Sequence, residues 1–171
     1  GQGIAYGYCD CNLTIPGCTD VWQLVWSDEF NEDVIDESKW SYQLGTGSQY
    51  GLWGWGNGES QYYKSENASI ENGILTIEAK NENYAGSNYT SARLRTKDKG
   101  DWLYGKFLAR MKLPSAGGTW PAFWMMPTNS VYGGWPNSGE IDIMEHYGCN
   151  SMNSGDPFST VHNSMYNWNG G

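Results

Sequence analysis

Positive charge is scarce in this sequence. Ten Lys and Arg stand against nineteen Asp and Glu in 171 residues, for a net charge of -9 and a pI near 4.5. Nucleic acids and anionic membranes are bound through clustered cations, and the ten are spread along the chain, so both partners are excluded. No apolar run approaches the roughly 20 residues that cross a bilayer. The start carries neither the basic n-region nor the apolar h-region of a signal peptide, and a mature, processed or recombinant form is expected. Cysteine is limited to four residues and histidine to two. Their spacing lacks the paired CxxC of a zinc site. Internal repeats, linkers and low-complexity segments are missing too, so one globular domain is expected.

What is abundant is Gly (23), Tyr (12) and Trp (10), with only 17% of residues charged. That mixture suits many short strands joined by polar turns, hence an all-β fold. So much aromatic surface exceeds what one core needs, and flat aromatic faces stack on the C–H surface of sugar rings. Some of it is expected to line a binding cleft; the alternative is packing between strands.

Cys9, Cys11, Cys18 and Cys149, with the acceptor triplets at Asn12, Asn67 and Asn88, favour an oxidising, extracellular setting, and so a secreted protein. Cys9 and Cys11 are too close to pair easily. One bridge inside the N-terminal arm and one from that arm to Cys149 is the expected arrangement.

Residues 1–20 are Gly- and Cys-rich without periodicity and read as an N-terminal extension, with the fold beginning at about Val21. Beyond it, β-like runs recur at 23–26, 73–79, 104–113, 120–126, 141–145 and 160–162, a two-sheet antiparallel pattern. Residues 33–40 form the one stretch that suits a short helical turn.

The run Gly139-Glu140-Ile-Asp142-Ile-Met-Glu145-His146 puts three carboxylates on what otherwise reads as a strand. In a regular strand Glu140 and Asp142 share one face, and Glu145 points to the other. A β-bulge at Ile143 or Met144 re-aims the strand, so that all three acids project into one cleft. Carboxylates at this spacing approach the roughly 5–5.5 Å of a retaining glycosidase and leave no room for an inverting water. Crowding raises the pKa of whichever acid keeps its proton, which sets a protonated acid beside an ionised nucleophile. Asp142 lies between the other two, within reach of the nucleophile. A calcium site or a solvated acidic edge strand is the alternative, and Ile141 and Ile143 are poor company for either.

At this point the sequence resembles glycoside hydrolase family 16, in the bulged branch carrying E-x-D-x-x-E that contains laminarinases, agarases and κ-carrageenases. The resemblance spans residues 21–168 through Trp26-Ser-Asp-Glu-Phe30, Gly56-Asn-Gly-Glu-Ser-Gln-Tyr-Tyr63, Ser91-Ala-Arg-Leu94, Tyr104-Gly-Lys-Phe107, Leu113-Pro114, Trp120-Pro-Ala-Phe-Trp124 and the carboxylate run. It implies an antiparallel two-sheet β-jelly-roll sandwich with a concave cleft for an extended polysaccharide. It casts Glu140 as nucleophile, Asp142 as assisting acid and Glu145 as general acid/base. Trp120 and Trp124, four apart on a strand, match the family's aromatic platform beside the cleaved bond; packing is the other role open to them. Asn57, Glu59 and Arg93 match polar residues of the glycone subsites, although Asn57 and Glu59 also suit ordinary turn positions. His162 matches a residue on the leaving-group side, with Tyr166 and Asn167 as weaker matches. Trp53 and Trp55 either form an outer sugar platform or pin their Gly-rich loop.

The same resemblance points to a structural calcium held near Glu29 and Gly73, and to no required cofactor. It implies an endo-acting, retaining hydrolase of β-1,3-glucan, with mixed-linkage β-1,3-1,4-glucan as a second substrate. A non-catalytic β-glucan recognition protein and a transglycosylase are the alternatives. Sulfated galactans are disfavoured by the few cations. Later strands of the family's domain are expected after Trp168, from a second polypeptide or from a longer form of this chain.

Overall fold

The computed structural model describes residues 3–7, 22–148 and 155–166, the first of these as backbone only. The four cysteines with their expected bridges, the triplet at Asn12, and Asn167 lie outside the described residues. The chain divides into two compact units, Gly1–Met111 and Lys112–Gly171.

The strands of the first unit are β1 (Gly3–Gly7), β2 (Gln23–Asp28), β3 (Ser41–Tyr42), β4 (Gln61–Tyr63), β5 (Ala68–Glu71), β6 (Ile74–Ile77), β7 (Lys80–Tyr84), β8 (Ser87–Ser91), β9 (Leu94–Arg95) and β10 (Lys106–Ala109). They form sheets in the orders β10-β1-β2, β3-β9, β4-β8-β7 and β5-β6. The pairing is antiparallel except between β4 and β8, which run parallel, a departure from the expected pattern. The N-terminal extension is also corrected. Gly3–Gly7 pairs on both sides as the middle strand of its sheet. This segment is too short, and too heavily flanked by Gly, to show a period of its own.

Two hairpins turn in two residues each. Asn72 and Gly73 have φ of 53° and 71°, and Ala85 and Gly86 have 48° and 87°. Left-handed conformation at both central positions matches the twist of antiparallel strands, and Asn-Gly accommodates it with little strain. Within residues 33–40 the expected single helical turn forms at the C-terminal end: Lys39 and Trp40 donate their backbone N–H to the Asp36 carbonyl at 3.0 and 2.9 Å. Buried Asp28 ties that turn to β2. Its carboxylate accepts the Trp40 indole N–H at 2.7 Å and the Phe30 backbone N–H at 3.0 Å. Trp26 meets Trp40 and Trp102 edge-on at 5.6 and 5.5 Å, so an aromatic cluster covers this end of the sheet.

Among its described residues the second unit holds an antiparallel sheet of β11 (Ala122–Met125), β12 (Glu140–Glu145) and β13 (Phe158–His162), with β12 central. The expected β11 began at Trp120; Pro121 cannot donate to a ladder and the strand starts after it. The expected bulge is present. Asp142 pairs with Thr160 and Glu145 with Phe158, so Ile143 and Met144 together oppose one residue of β13, and the pairing with β11 slips between Phe123 and Trp124. Large apolar side chains remain exposed in both units, Leu24, Ile74, Ile141 and Val161 among them.

Candidate active site

The three carboxylates are carried by the middle strand of the second unit, where flanking strands limit water. Residues directly opposite across an antiparallel pair share a face. Glu140 faces His162, Asp142 faces both Trp124 and Thr160, and the bulge brings Glu145 opposite Ala122 and Phe158. One face therefore collects three acids, an imidazole and an indole. Ile141 pairs with Met125 and Val161 on the other face.

Each acid has its own donors. His162 Nε2 lies 3.2 Å from Asp142 Oδ2, with both side chains about 5% exposed. Burial first, and then the negative charge of Glu140, push Asp142 up to about 6, with His162 opposing the rise. A hydrogen bond to Glu140 further favours its protonated form, with the Asp142 carboxyl as donor to the neighbouring carboxylate. Glu145 accepts the Trp120 indole N–H at 2.9 Å and the Thr160 hydroxyl at 3.3 Å. Burial raises its pKa; the Trp120 hydrogen bond opposes this, and the charge on Asp142 adds to it. Trp120 thus aims its N–H at an acid while its ring meets Tyr147 at 5.0 Å.

Trp135 was missed by the sequence reading. Its indole N–H donates to Glu140 Oε2 at 2.5 Å, and its ring lies 5.8 Å from that of His162. The available signal was a Trp-Pro pair five residues ahead of an acid in a Gly-rich turn. Tyr166 is exposed and its backbone N–H donates to Asn163 Oδ1 at 3.1 Å.

A second polar cluster lies within the first unit. Glu59 accepts from Asn57 at 3.3 Å, from Gln61 at 2.7 Å and from the Tyr63 hydroxyl at 2.7 Å, and its carboxylate stands 3.8 Å from Arg93. Arg93 donates to Gln43 at 2.9 Å and lies 4.4 Å over the Trp55 ring. Burial, followed by the charge of Glu59, raises the Tyr63 hydroxyl pKa. The three expected glycone residues are therefore brought together here, in a network with Gln61 and Tyr63. Trp53 and Trp55 take opposite roles: Trp55 is 5% exposed with its N–H on the Gly45 carbonyl, whereas Trp53 is 80% exposed.

At the expected calcium position, Gly73 has φ of 71°, and a Cβ built there would come 3.8 Å from the Glu29 carbonyl oxygen. The backbone of Gly73 passes close to the Glu29 carbonyl, an oxygen of the kind a hard cation takes as ligand. Among the described residues no group of three or more His, Cys, Asp or Glu side chains could hold a metal. One acceptor triplet is closed: Asn67, 2% exposed, donates to the Glu78 carbonyl at 2.8 Å and to the Thr90 hydroxyl at 2.9 Å. Asn88 is exposed.

An all-β framework carrying a bulged strand of three acids, with indole donors around it, has the form of a sugar-processing hydrolase. Residues 56–167 match the family profile described as an XgeA-like, catalytic GH16 domain, and the chain belongs to glycoside hydrolase family 16. It is 49% identical over 152 residues to a β-glucanase of Rhodothermus marinus, covering 85% of this chain and 50% of that protein. With a glucan endo-1,3-β-glucosidase A1 of Niallia circulans it shares 43% over 136 residues, 73% of this chain and 20% of that protein. Among solved structures, the laminarinase catalytic domain of Thermotoga maritima matches with a TM-score of 0.79 and 45% identity, covering 86% of this chain and 59% of that one. The chain spans half or less of the length of these two sequence relatives. The solved structures bear out the expected all-β jelly-roll class.

Proposed function

We propose that this chain carries the catalytic centre of an endo-acting, retaining β-1,3-glucanase, with mixed-linkage β-1,3-1,4-glucan as a second substrate. The observation that carries the reading is the bulged strand β12, which sets Glu140, Asp142 and Glu145 on one face. Glu140 attacks the anomeric carbon. Glu145, whose pKa is raised by burial, protonates the departing glycosidic oxygen and then takes the proton from the incoming water. Asp142 hydrogen-bonds Glu140 and His162 steadies Asp142. Asn57, Glu59 and Arg93 bind sugar hydroxyls, and Trp124 packs against a ring.

Reducing-sugar release from laminarin, barley β-glucan and agarose by the intact protein and its Glu140→Gln variant tests this. Release from laminarin that vanishes in the variant supports the assignment; undiminished release in the variant removes Glu140 from its role.

Three further proposals go with this reading. A calcium ion is held near Glu29 and Gly73, supported by the close approach of the Gly73 backbone to the Glu29 carbonyl, and its presence is checked by a calcium-dependent rise in melting temperature that a chelator reverses. The setting is extracellular, supported by exposed Asn88 in its N-x-T triplet and checked by glycopeptide mass spectrometry. Polypeptide beyond this sequence covers the exposed apolar side chains, supported by the greater length of the relatives.

A further inference from the structure

The two carboxylate oxygens of Glu145 meet partners of different kinds. Oε1 accepts the Trp120 indole N–H at 2.9 Å, and Oε2 lies 3.3 Å from the Thr160 hydroxyl. An indole N–H only donates, whereas a hydroxyl donates through one hydrogen and accepts through two lone pairs. The first contact therefore runs one way, and the second can run in either direction.

Both partners are held in place. The Trp120 ring meets Tyr147 at 5.0 Å, and Tyr147 meets Phe158 at 5.2 Å, so a column of rings backs the indole. Thr160 stands on β13 opposite Asp142, two places along from Phe158, which is opposite Glu145. Two places along a strand is the same face, and a diagonal neighbour there is within reach of a long side chain. The branched Thr side chain has a restricted χ1 on a strand, so its oxygen stays put while its hydrogen turns. Among the described residues the hydroxyl has no hydrogen-bond partner but Glu145.

A carboxylic acid carries its proton on one oxygen, and the other keeps the carbonyl character that accepts best. Oε1, bound to an obligate donor, stays the carbonyl oxygen. The proton then falls on Oε2, where Thr160 Oγ1 can accept it. The 3.3 Å separation exceeds the roughly 2.5–3.0 Å of a settled O–H···O bond, which suits a contact that yields when a glycosidic oxygen arrives.

We propose that Thr160 is a positioning residue that assigns the working proton of Glu145 to Oε2 and reverses its own hydrogen bond as that proton leaves and returns. In the first half-reaction the Oε2 proton passes to the glycosidic oxygen while the bond from that oxygen to the anomeric carbon breaks and Glu140 bonds the carbon. Oε2 is left negative, and the Thr160 hydroxyl turns to donate to it. In the second, a water oxygen bonds the anomeric carbon, Glu140 departs with its electron pair, and one water proton returns to Oε2. The reaction rests on the glucanase reading; the contact between Thr160 and Glu145 does not.

Thr160→Val keeps the shape and removes the hydroxyl, while Thr160→Ser keeps the hydroxyl, and both are made in the full chain. Titration of the Glu145 carboxyl by NMR needs no substrate. Its pKa is expected to rise in Thr160→Val, which removes a donor to the ionised form, and to stay unchanged in Thr160→Ser. An unmoved pKa in Thr160→Val overturns the contact. The second measurement compares kcat/KM on laminarin with kcat/KM on a dinitrophenyl β-laminaribioside, whose leaving group departs without a proton. Thr160→Val is expected to lose about tenfold on laminarin and little on the dinitrophenyl substrate, with Thr160→Ser close to wild type on both. Equal losses on the two substrates overturn the positioning role. A wild-type chain that cleaves neither overturns the glucanase reading instead, and the titration still decides the contact.

Discussion

Asp142→Asn separates the demands of chemistry from those of stability. The folded Asp142 side chain holds its proton to about pH 6, whereas the unfolded carboxyl releases it near 3.8. Below pH 3.8 the residue is neutral in both states and costs nothing. As pH rises through this window the unfolded state gains by ionising and the folded state does not, so stability falls, and above pH 6 the loss is complete. A gap of about 2.2 units, the difference between 6 and 3.8, corresponds to about 3 kcal/mol. Asn cannot ionise and escapes this cost, in which the opposing effect of His162 is already included. The gain above pH 7 is therefore about 3 kcal/mol, or roughly 6–12 °C in melting temperature for a chain of this length. Scanning calorimetry of both proteins at pH 4 and pH 8 should show near-equal melting at pH 4 and the variant higher at pH 8, while its hydrolysis of laminarin drops at least tenfold. A difference in melting temperature that is the same at both pH values, or a variant that melts lower at pH 8, refutes the account of Asp142.

Three other changes have defined outcomes. Trp120→Phe removes the N–H that holds down the pKa of Glu145, so the alkaline limb of kcat/KM should move to higher pH, as a pH–rate profile would show; an unmoved limb detaches Glu145 from the acid role. Trp135→Phe keeps the ring but removes a hydrogen bond to a carboxylate, and because the site is partly open the expected loss in kcat/KM is about tenfold, at the low end for charged partners; an unchanged kcat/KM denies Trp135 any positioning role. Gly47→Ala forces a Cβ against the Leu52 carbonyl in a left-handed conformation, and chemical denaturation should show about 2 kcal/mol of lost stability. Equal stability there means that the loop relaxes freely.

The face shared by the acids was legible because it is a local problem. Three carboxylates in six residues can converge only if one strand position is doubled, and the doubling falls at Ile143 and Met144. The strands at 23–26 and 160–162 were legible from local composition, while 104–113 shortened to Lys106–Ala109, since only that part finds a partner. What could not be read depends on distant segments. Asn67 looks like an open acceptor until Glu78 and Thr90 close over it. Trp53 and Trp55 are chemically equal two residues apart, and only the placement of Arg93, Tyr63 and Tyr50 makes one a buried anchor and the other a surface ring. Trp135 gains its meaning from the position of an oxygen on a strand that follows the turn.

The doubled position on β12 has an arithmetical consequence. Two residues occupy one slot of the ladder, so Glu145 stands where a fourth-place residue would stand in an ungapped strand. Removing Ile143 would bring Glu145 to that place by plain alternation, with the acid triad still on one side. In a strand shortened by that residue, the orientation of the acids therefore no longer needs a doubled position. What it contributes is local twist, and single-residue deletion offers a way to change that twist while keeping the three groups together.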